Sequence, residues 1–267
     1  MSSSKQSSTA WYDSPLYYDM VYADYTPKET RFIEGIMQKH GPKLEGPMRV
    51  FEPACGSGRL LESLAARGHV VHGFDLNKHQ VAFAKNRLKA KGLKGRVWRD
   101  RLQDFKVPKG ARYDVAHCFV STFKYIDTEA GAVSALRRMA ASLRPGGLLL
   151  LGLHLTDYKN SPPDHERWIG RKPGIRVVSD TWSAPADRKS RTEAMRTRMR
   201  ITEKGKTRVE ETLWDFRTYS PEELKALIAK VPSLRLVACH DFHYDLSSTR
   251  KIDMEYSDVL LVLLRQA

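Results

Sequence analysis

The residues with the clearest chemical use are Glu52, Gly56 and Gly58, in the run Glu52-Pro53-Ala54-Cys55-Gly56-Ser57-Gly58. Glycines one residue apart let the backbone approach a ligand closely, and where a helix follows they expose its first amides. Asp75 ends the next apolar run, roughly 20 residues further on, the place of a carboxylate that accepts ribose hydroxyls. A dinucleotide site adds a third glycine in the pattern GxGxxG, and Leu61 occupies that position here. Such a site also has no need of an acid where Glu52 stands. Each feature has a plain structural reading as well, the glycines as a tight turn and Asp75 as a helix cap.

Histidine is the side chain best suited to proton transfer near neutral pH. His154 closes the apolar run Leu148–His154, and at the carboxyl end of a parallel strand it would stand where ligands gather in open α/β sheets. Its structural alternative is a bond to the following loop through Thr156 or the backbone. His240 and His243 belong to the polar-aromatic cluster His240-Asp241-Phe242-His243-Tyr244-Asp245. Strand alternation would put Asp241 and His243 on one face, with His240, Phe242 and Tyr244 on the other. His117 reads as packing in or beside a strand. Cys55, Cys118 and Cys239 are far apart and form no zinc-like pattern, so no metal site is expected and a reduced, cytoplasmic setting is.

The elements that must carry these residues alternate. A helix over 28–40 ends at Gly41-Pro42, and a short strand at 49–52 precedes the glycine turn. Helix 59–67, strand 69–74, a helix capped by Asn77 and running to Lys91, a short strand at Val97-Trp98 and strand 113–119 follow. A helix over 128–143 and the turn Pro145-Gly146-Gly147 lead to strand 148–154. This alternation predicts an α/β fold with a parallel sheet covered on both faces. Near Asp157 the texture changes. Residues 157–174 read as loop, then 175–182, 191–202 and 207–218 as three strands, the last two joined by the turn Glu203-Lys204-Gly205-Lys206. Residues 157–218 are therefore expected to be a loop and antiparallel β insertion within one domain, 11–267, rather than a second domain. Ser220-Pro221-Glu222-Glu223 opens a further helix with a capping box. Strands at 234–240 and 258–264 close the chain.

The 267 residues, 41% hydrophobic and 28% charged, suffice for one well-cored domain with an elaboration. No apolar run approaches the roughly 18 residues of a membrane span. Residues 1–10, rich in Ser, are expected to be a disordered tail. The net charge is +14, and about nine of the surplus charges fall between Lys85 and Arg112, where the acids are Asp100 and Asp104. A solvated helix face and a guarded sheet edge account for that segment, and a polyanion footprint is the alternative.

The combination Glu52-x-x-x-Gly56-x-Gly58, Asp75, Tyr113-Asp114-Val115 and Leu143-Arg144-Pro145-Gly146-Gly147 resembles the class I S-adenosylmethionine-dependent methyltransferases, from about Tyr12 to the end of the chain. The resemblance implies a Rossmann-like seven-stranded sheet of order 3-2-1-4-5-7-6 with strand 7 antiparallel, the β insertion following strand 5. It implies S-adenosyl-L-methionine as cofactor, with Glu52, Ala54, Gly56, Gly58, Asp75, Leu76 and Phe119 around it. Relatives carry an acid and then a hydrophobic residue after strand 3; one alignment puts Arg101 at the acid position and another restores Asp100, so Asp100, Arg101 and Leu102 are all adenine-side candidates. The loop Val120-Ser121-Thr122-Phe123-Lys124-Tyr125 matches neither the amino-methylating Asn/Asp-Pro-Pro-Tyr/Phe signature nor the Pro-Cys of cytosine C5 enzymes, and is similar to small-molecule methyltransferases. Acceptor-side candidates are Tyr12, Tyr18, Tyr125, His154, Trp214 and His243, with His154 the candidate base. Tyr12, Tyr17, Tyr18 and Tyr22 form a lid or simply pack. Trp182, Trp214 and Phe216 wall a pocket or form a dimer contact, while Arg196, Arg198 and Arg200 share one strand face. The expected activity is methyl transfer to an N or O atom of a small molecule. An RNA or protein methyltransferase using the basic surface, and a non-catalytic cofactor-binding regulator, are the alternatives.

Overall fold

The central strands are apolar on both faces because both faces are covered, which is the pattern of a buried parallel sheet. In the computed structural model, which describes residues 11–267, β1 (Arg49–Pro53), β2 (Val70–Asp75), β3 (Gly95–Arg99), β4 (Tyr113–Cys118), β5 (Leu143–His154), β10 (Leu234–His240) and β11 (Asp258–Arg265) form one sheet. The tail expected at 1–10 lies outside the described residues. Sheet order is β10-β11-β5-β4-β1-β2-β3, and β11 runs antiparallel to both β5 and β10. That is the order the resemblance implied, with β3 at the far edge carrying the basic segment.

One layer of helices, α2 (Thr26–His40), α3 (Arg59–Ala66) and α4 (Lys78–Ala90), packs Phe32, Ile36, Leu61, Leu64, Ala84 and Leu88 on one face of the sheet. The other layer, α5 (Glu129–Ser142) and α6 (Pro221–Ala229), brings Leu136, Met139, Leu224 and Leu227 to the opposite face. The caps follow the sequence. Asn77 accepts from the amides of His79 and Gln80, and Ser220 with Glu223 closes a capping box.

Two expectations are corrected. Pro145-Gly146-Gly147 lies inside β5 instead of before it: Tyr113 pairs with Leu143, and regular pairing resumes only at Val115 with Leu148. The glycines permit this irregularity, since a Cβ on Gly147 would come within 3.1 Å of three backbone oxygens. Residues 157–174 are also not all loop. β6 (Asp164–Lys172) pairs with β7 (Ile175–Ser183), and β8 (Thr192–Glu203) and β9 (Lys206–Arg217) complete a four-stranded antiparallel sheet. β6 is an edge strand with largely exposed side chains, so it lacks the apolar alternation by which a strand is recognised.

The second sheet is joined to the first by α1 (Pro15–Tyr22). Trp11, Met20 and Val21 pack against Val177, Met199 and Ile201. From its other side, Asp19 accepts from Ser57 at 2.7 Å and pairs with Arg87 at 2.6 Å, fastening α1 to the glycine turn and α4. On the outer face of the second sheet Arg196 and Arg198 both pair with Glu211 beside Trp182. No helix among the described residues is long and apolar enough to cross a membrane.

Candidate functional site

The glycine turn is built from alternating left-handed residues. Ala54, Gly56 and Gly58 all have positive φ, and the amide of Cys55 donates to Phe74 O. This bends the chain sharply between β1 and α3. A Cβ on Gly58 would meet that of Ala84 at 2.8 Å, so this glycine lets α3 and α4 approach. Around Gly56 there is open space instead, with Tyr18 and Gln80 the nearest groups, at 3.8 and 4.0 Å.

Asp75 closes the turn from β2. Its carboxylate accepts from the amides of Gly56 at 2.9 Å and Asn77 at 2.8 Å, with a free lone pair left on each oxygen. Burial raises its pKa, and the backbone amides of Asn77, Gly56 and Leu76 oppose the rise. Leu76 beside it is exposed. Sequence reasoning proposed the pair Gly56 and Asp75; the structure brings them into direct contact.

Between the turn and the end of β4 lies a hollow lined by Glu52, Ala54, Gly56, Arg59, His117, Phe119, Val120 and Thr122, and roofed by Tyr18 and Tyr22. Its floor holds unpaired polar groups. Glu52 Oε2 and both ring nitrogens of His117 are buried without a hydrogen-bond partner. Burial drives the Glu52 carboxyl well above its ordinary range, and burial with the nearby Arg59 charge depresses His117 to about 3. Buried polar atoms are ordinarily paired, and these unpaired atoms suit a polar ligand group. His117, read from sequence as packing, therefore faces the hollow.

The enclosed space is only about 50 Å³, against the roughly 300 Å³ or more of small-molecule pockets. Tyr12 O accepts from Gln80, and Asp13 accepts from Asn77, so the N-terminal segment crosses over Asp75 and the start of α4.

On the adenine side the candidates differ. Asp100 accepts from the amides of Arg101 and Lys106 and from the Trp98 indole, organising the loop after β3. Leu102 packs in the core with Phe51, Phe74 and Phe105, and Arg101 is exposed.

The acceptor side centres on a cluster that sequence reasoning found only in part. His154 stands at the end of β5 as expected. Its Nδ1 lies 2.7 Å from Ser121 Oγ, and Ser121 Oγ also accepts from the His154 amide at 3.2 Å. Its Nε2 is hydrogen-bonded to Lys124 Nζ and lies 3.4 Å from Glu193 Oε2. Lys124, fully buried in a one-turn helix after β4, also pairs with Glu193 at 3.1 Å and faces the Phe216 ring. Burial pulls Lys124 down to about 8 against the opposing Glu193 charge. Burial and the Lys124 charge lower His154. Burial alone would raise Glu193, but the His154 hydrogen bond and the Lys124 charge hold it at about 2. Lys124 and Glu193 were not foreseen: a lone lysine in a loop and a glutamate in a strand carry no motif.

Aromatic rings surround this cluster. Tyr12 OH is hydrogen-bonded to Tyr125 OH, and Tyr125 packs on Phe216 and Trp214. Trp182 lies apart, stacked on His165. The face alternation expected over 240–245 is corrected. β10 ends at His240, residues 241–245 are a turn with positive φ at Tyr244, and no face alternation exists there. Backbone bonding explains this, since Asp241 accepts from the amide of His243. His243 contacts Tyr256.

Residues 50–147 match the model of a methyltransferase domain family. The chain is 29% identical over 99 residues to a ubiquinone biosynthesis O-methyltransferase of Vibrio vulnificus, covering 37% of this chain and 40% of that protein. It is 28% identical over 138 residues to a dTDP-3-amino-3,6-dideoxy-alpha-D-glucopyranose N,N-dimethyltransferase of Streptomyces fradiae, half of each chain. The aligned regions thus span about half or less of these relatives. In structure it superposes on an S-adenosylmethionine-dependent methyltransferase of Clostridium acetobutylicum with TM-score 0.74 at 15% identity, covering 94% of this chain and 97% of the other. It also superposes on CalS10, an amino pentose methyltransferase of Micromonospora echinaspora, with TM-score 0.68 at 18% identity over 99% and 100% of the chains. Residues 50–147 thus match the methyltransferase domain family, within a chain whose whole fold is that of the S-adenosylmethionine-dependent methyltransferases.

Proposed function

We propose that this protein transfers a methyl group from S-adenosylmethionine to a nitrogen or oxygen of a small molecule. The observation that carries the reading is the glycine turn closed by Asp75 above a hollow whose buried polar groups, Glu52 and His117, have no partner. When bound, the sulfonium donor would supply an electrophilic methyl carbon that an acceptor lone pair attacks in line with the departing sulfide. Glu52 and His117 suit the amino-acid end of such a molecule, Asp75 its ribose hydroxyls, and Leu76, Asp100, Arg101 and Leu102 border the adenine side. Phe119 and Thr122 line the hollow just after β4 and His154 ends the neighbouring β5, so donor and acceptor would meet over the ends of β4 and β5. Holding two reactants in line can supply roughly 7–11 kcal/mol of the barrier in good intramolecular cases.

A small acceptor accords with the aromatic walls of Tyr12, Tyr125, Trp214 and Phe216, contributed partly by the second sheet. The Streptomyces relative named for an amino sugar and the Vibrio relative named for O-methylation leave both acceptor atoms within the proposal. A cytoplasmic setting is part of the same reading.

Calorimetry with S-adenosylmethionine tests the site. Asp75→Ala and Gly56→Val are each expected to weaken binding roughly 10-fold or more, the scale of lost hydrogen bonds to a charged group. Wild-type affinity in both variants overturns the site assignment. Incubation with labelled donor and either a metabolite library or bulk RNA then reads the acceptor class, with incorporation into small molecules expected.

A further inference from the structure

Lys124 is an amine buried at the edge of the proposed acceptor site, and the methyl-transfer reading by itself assigns it no role. Its neighbours come from separate parts of the fold: His154 from β5, Glu193 from β8 of the second sheet, and Phe216 from β9. Ser121, which bonds the other side of the His154 ring, lies between Val120 and Thr122, both lining the hollow. Three side chains therefore form a continuous line, Ser121 Oγ to His154 Nδ1, then His154 Nε2 to Lys124 Nζ.

We infer that Lys124 is the terminal proton acceptor of the methyl-transfer site, reached from the acceptor through Ser121 and His154. This rests on the activity proposed above. In the receptive form Lys124 is a neutral amine, His154 carries its proton on Nε2 and donates it to Nζ, and the Ser121 hydroxyl donates to Nδ1. As the acceptor O–H or N–H gives its proton to Ser121 Oγ, the Ser121 proton passes to Nδ1 and the Nε2 proton passes to Nζ. The electron pair released on the acceptor forms the new bond to carbon, and the carbon–sulfur pair leaves on sulfur. Lys124 ends as an ammonium donating to Nε2, with His154 in the Nδ1–H form. One proton has moved, and the imidazole has changed tautomer without ever being charged.

Glu193 makes this balance workable. A buried lysine without a counter-ion would stay neutral, and one facing a fully formed exposed carboxylate would stay charged. Here burial and Glu193 oppose each other and leave Lys124 near the pH at which a base is useful. Asp258 on β11 sits opposite His154 in register and raises the Lys124 pKa, Asp164 on β6 raises that of His154, and Glu166 on β6 acts on Asp258. Asp241, paired with Arg250, and His243 act on the cluster through Asp258. These groups are mostly acidic and favour the ammonium, so they tune the value upward against burial.

Nitrogen-15 NMR of the His154 ring in the full-length chain, with S-adenosylhomocysteine as the bound probe, tests the inference without an acceptor. In wild type the ring is expected to pass from the Nδ1–H to the Nε2–H tautomer with a midpoint at about pH 8, following Lys124. Lys124→Arg cannot lose its proton, so it should hold the Nδ1–H form between about pH 6 and 10, a window spanning ordinary His and Lys values. Lys124→Met should show no transition at that midpoint. A His154 titration unchanged by either variant overturns the relay, as does a wild-type ring fixed in one tautomer. Failure of S-adenosylhomocysteine to bind in calorimetry would count against the activity instead, and the free protein still reports the tautomer.

Discussion

At the scale of single residues, the site is governed by which buried groups are paired and which are not. Asp75 is held by two amides and keeps lone pairs free; Glu52 and His117 wait with unfilled hydrogen-bonding capacity. Lys124 and Glu193 satisfy each other across two sheets, and this makes a pH prediction. Glu193 is depressed to about 2 from an ordinary 4.5, so its contribution to stability is fully present above 4.5 and is lost as pH falls through 2. Glu193→Gln should therefore unfold at lower urea concentration than wild type near neutrality, with the gap closing as the pH drops below the ordinary glutamate value. A gap independent of pH in that range would contradict the assigned pairing. Gly56, Gly58 and Asp75 were legible in sequence because their spacing is the chemistry. Lys124 and Glu193 were not, since sixty-nine positions separate them along the chain and only folding makes them neighbours.

At the scale of elements, the alternation of apolar runs located every strand of the main sheet, because buried parallel strands advertise themselves by composition. β6 escaped notice for the opposite reason. An edge strand packed on one side by α1 and open on the other needs few apolar residues, and two consecutive prolines ahead of it suggested a loop. The face alternation over 240–245 fails because local Asp241 bonding ends β10 before the pattern does. The turn between β1 and α3 carries the sharpest element-level prediction. Gly58→Ala places a Cβ in the left-handed region and against Ala84 at 2.8 Å, so it should lower unfolding free energy by about 2–4 kcal/mol. Denaturant titration checks this, and cofactor affinity should fall with it because the turn and α3 move together.

At the scale of the whole molecule, α1 acts as a strap between the second sheet and the cofactor side. Its Asp19 is fastened by Arg87, which also reaches Glu62 on α3 at 3.0 Å. Arg87 belongs to the basic stretch 85–112 but is largely buried, so part of that charge serves architecture. Arg87→Met should loosen the strap and speed dissociation of bound S-adenosylhomocysteine, roughly 10-fold by the worth of one charge-assisted hydrogen bond; stopped-flow fluorescence reads the rate, and an unchanged rate would show that α1 does not control entry. The four-stranded sheet supplies Glu193, Trp214 and Phe216, while the glycine turn and Asp75 come from the main sheet. In the proposed reading the second sheet thus furnishes part of the acceptor wall, and the main sheet furnishes the donor side with Ser121, Lys124 and His154. Exchanging residues 157–218 for the matching stretch of another methyltransferase would replace Glu193, Trp214 and Phe216 together while Ser121, Lys124 and His154 stayed in place, so such a chimera would exchange one wall of the proposed acceptor side and leave the glycine turn and Asp75 as they are.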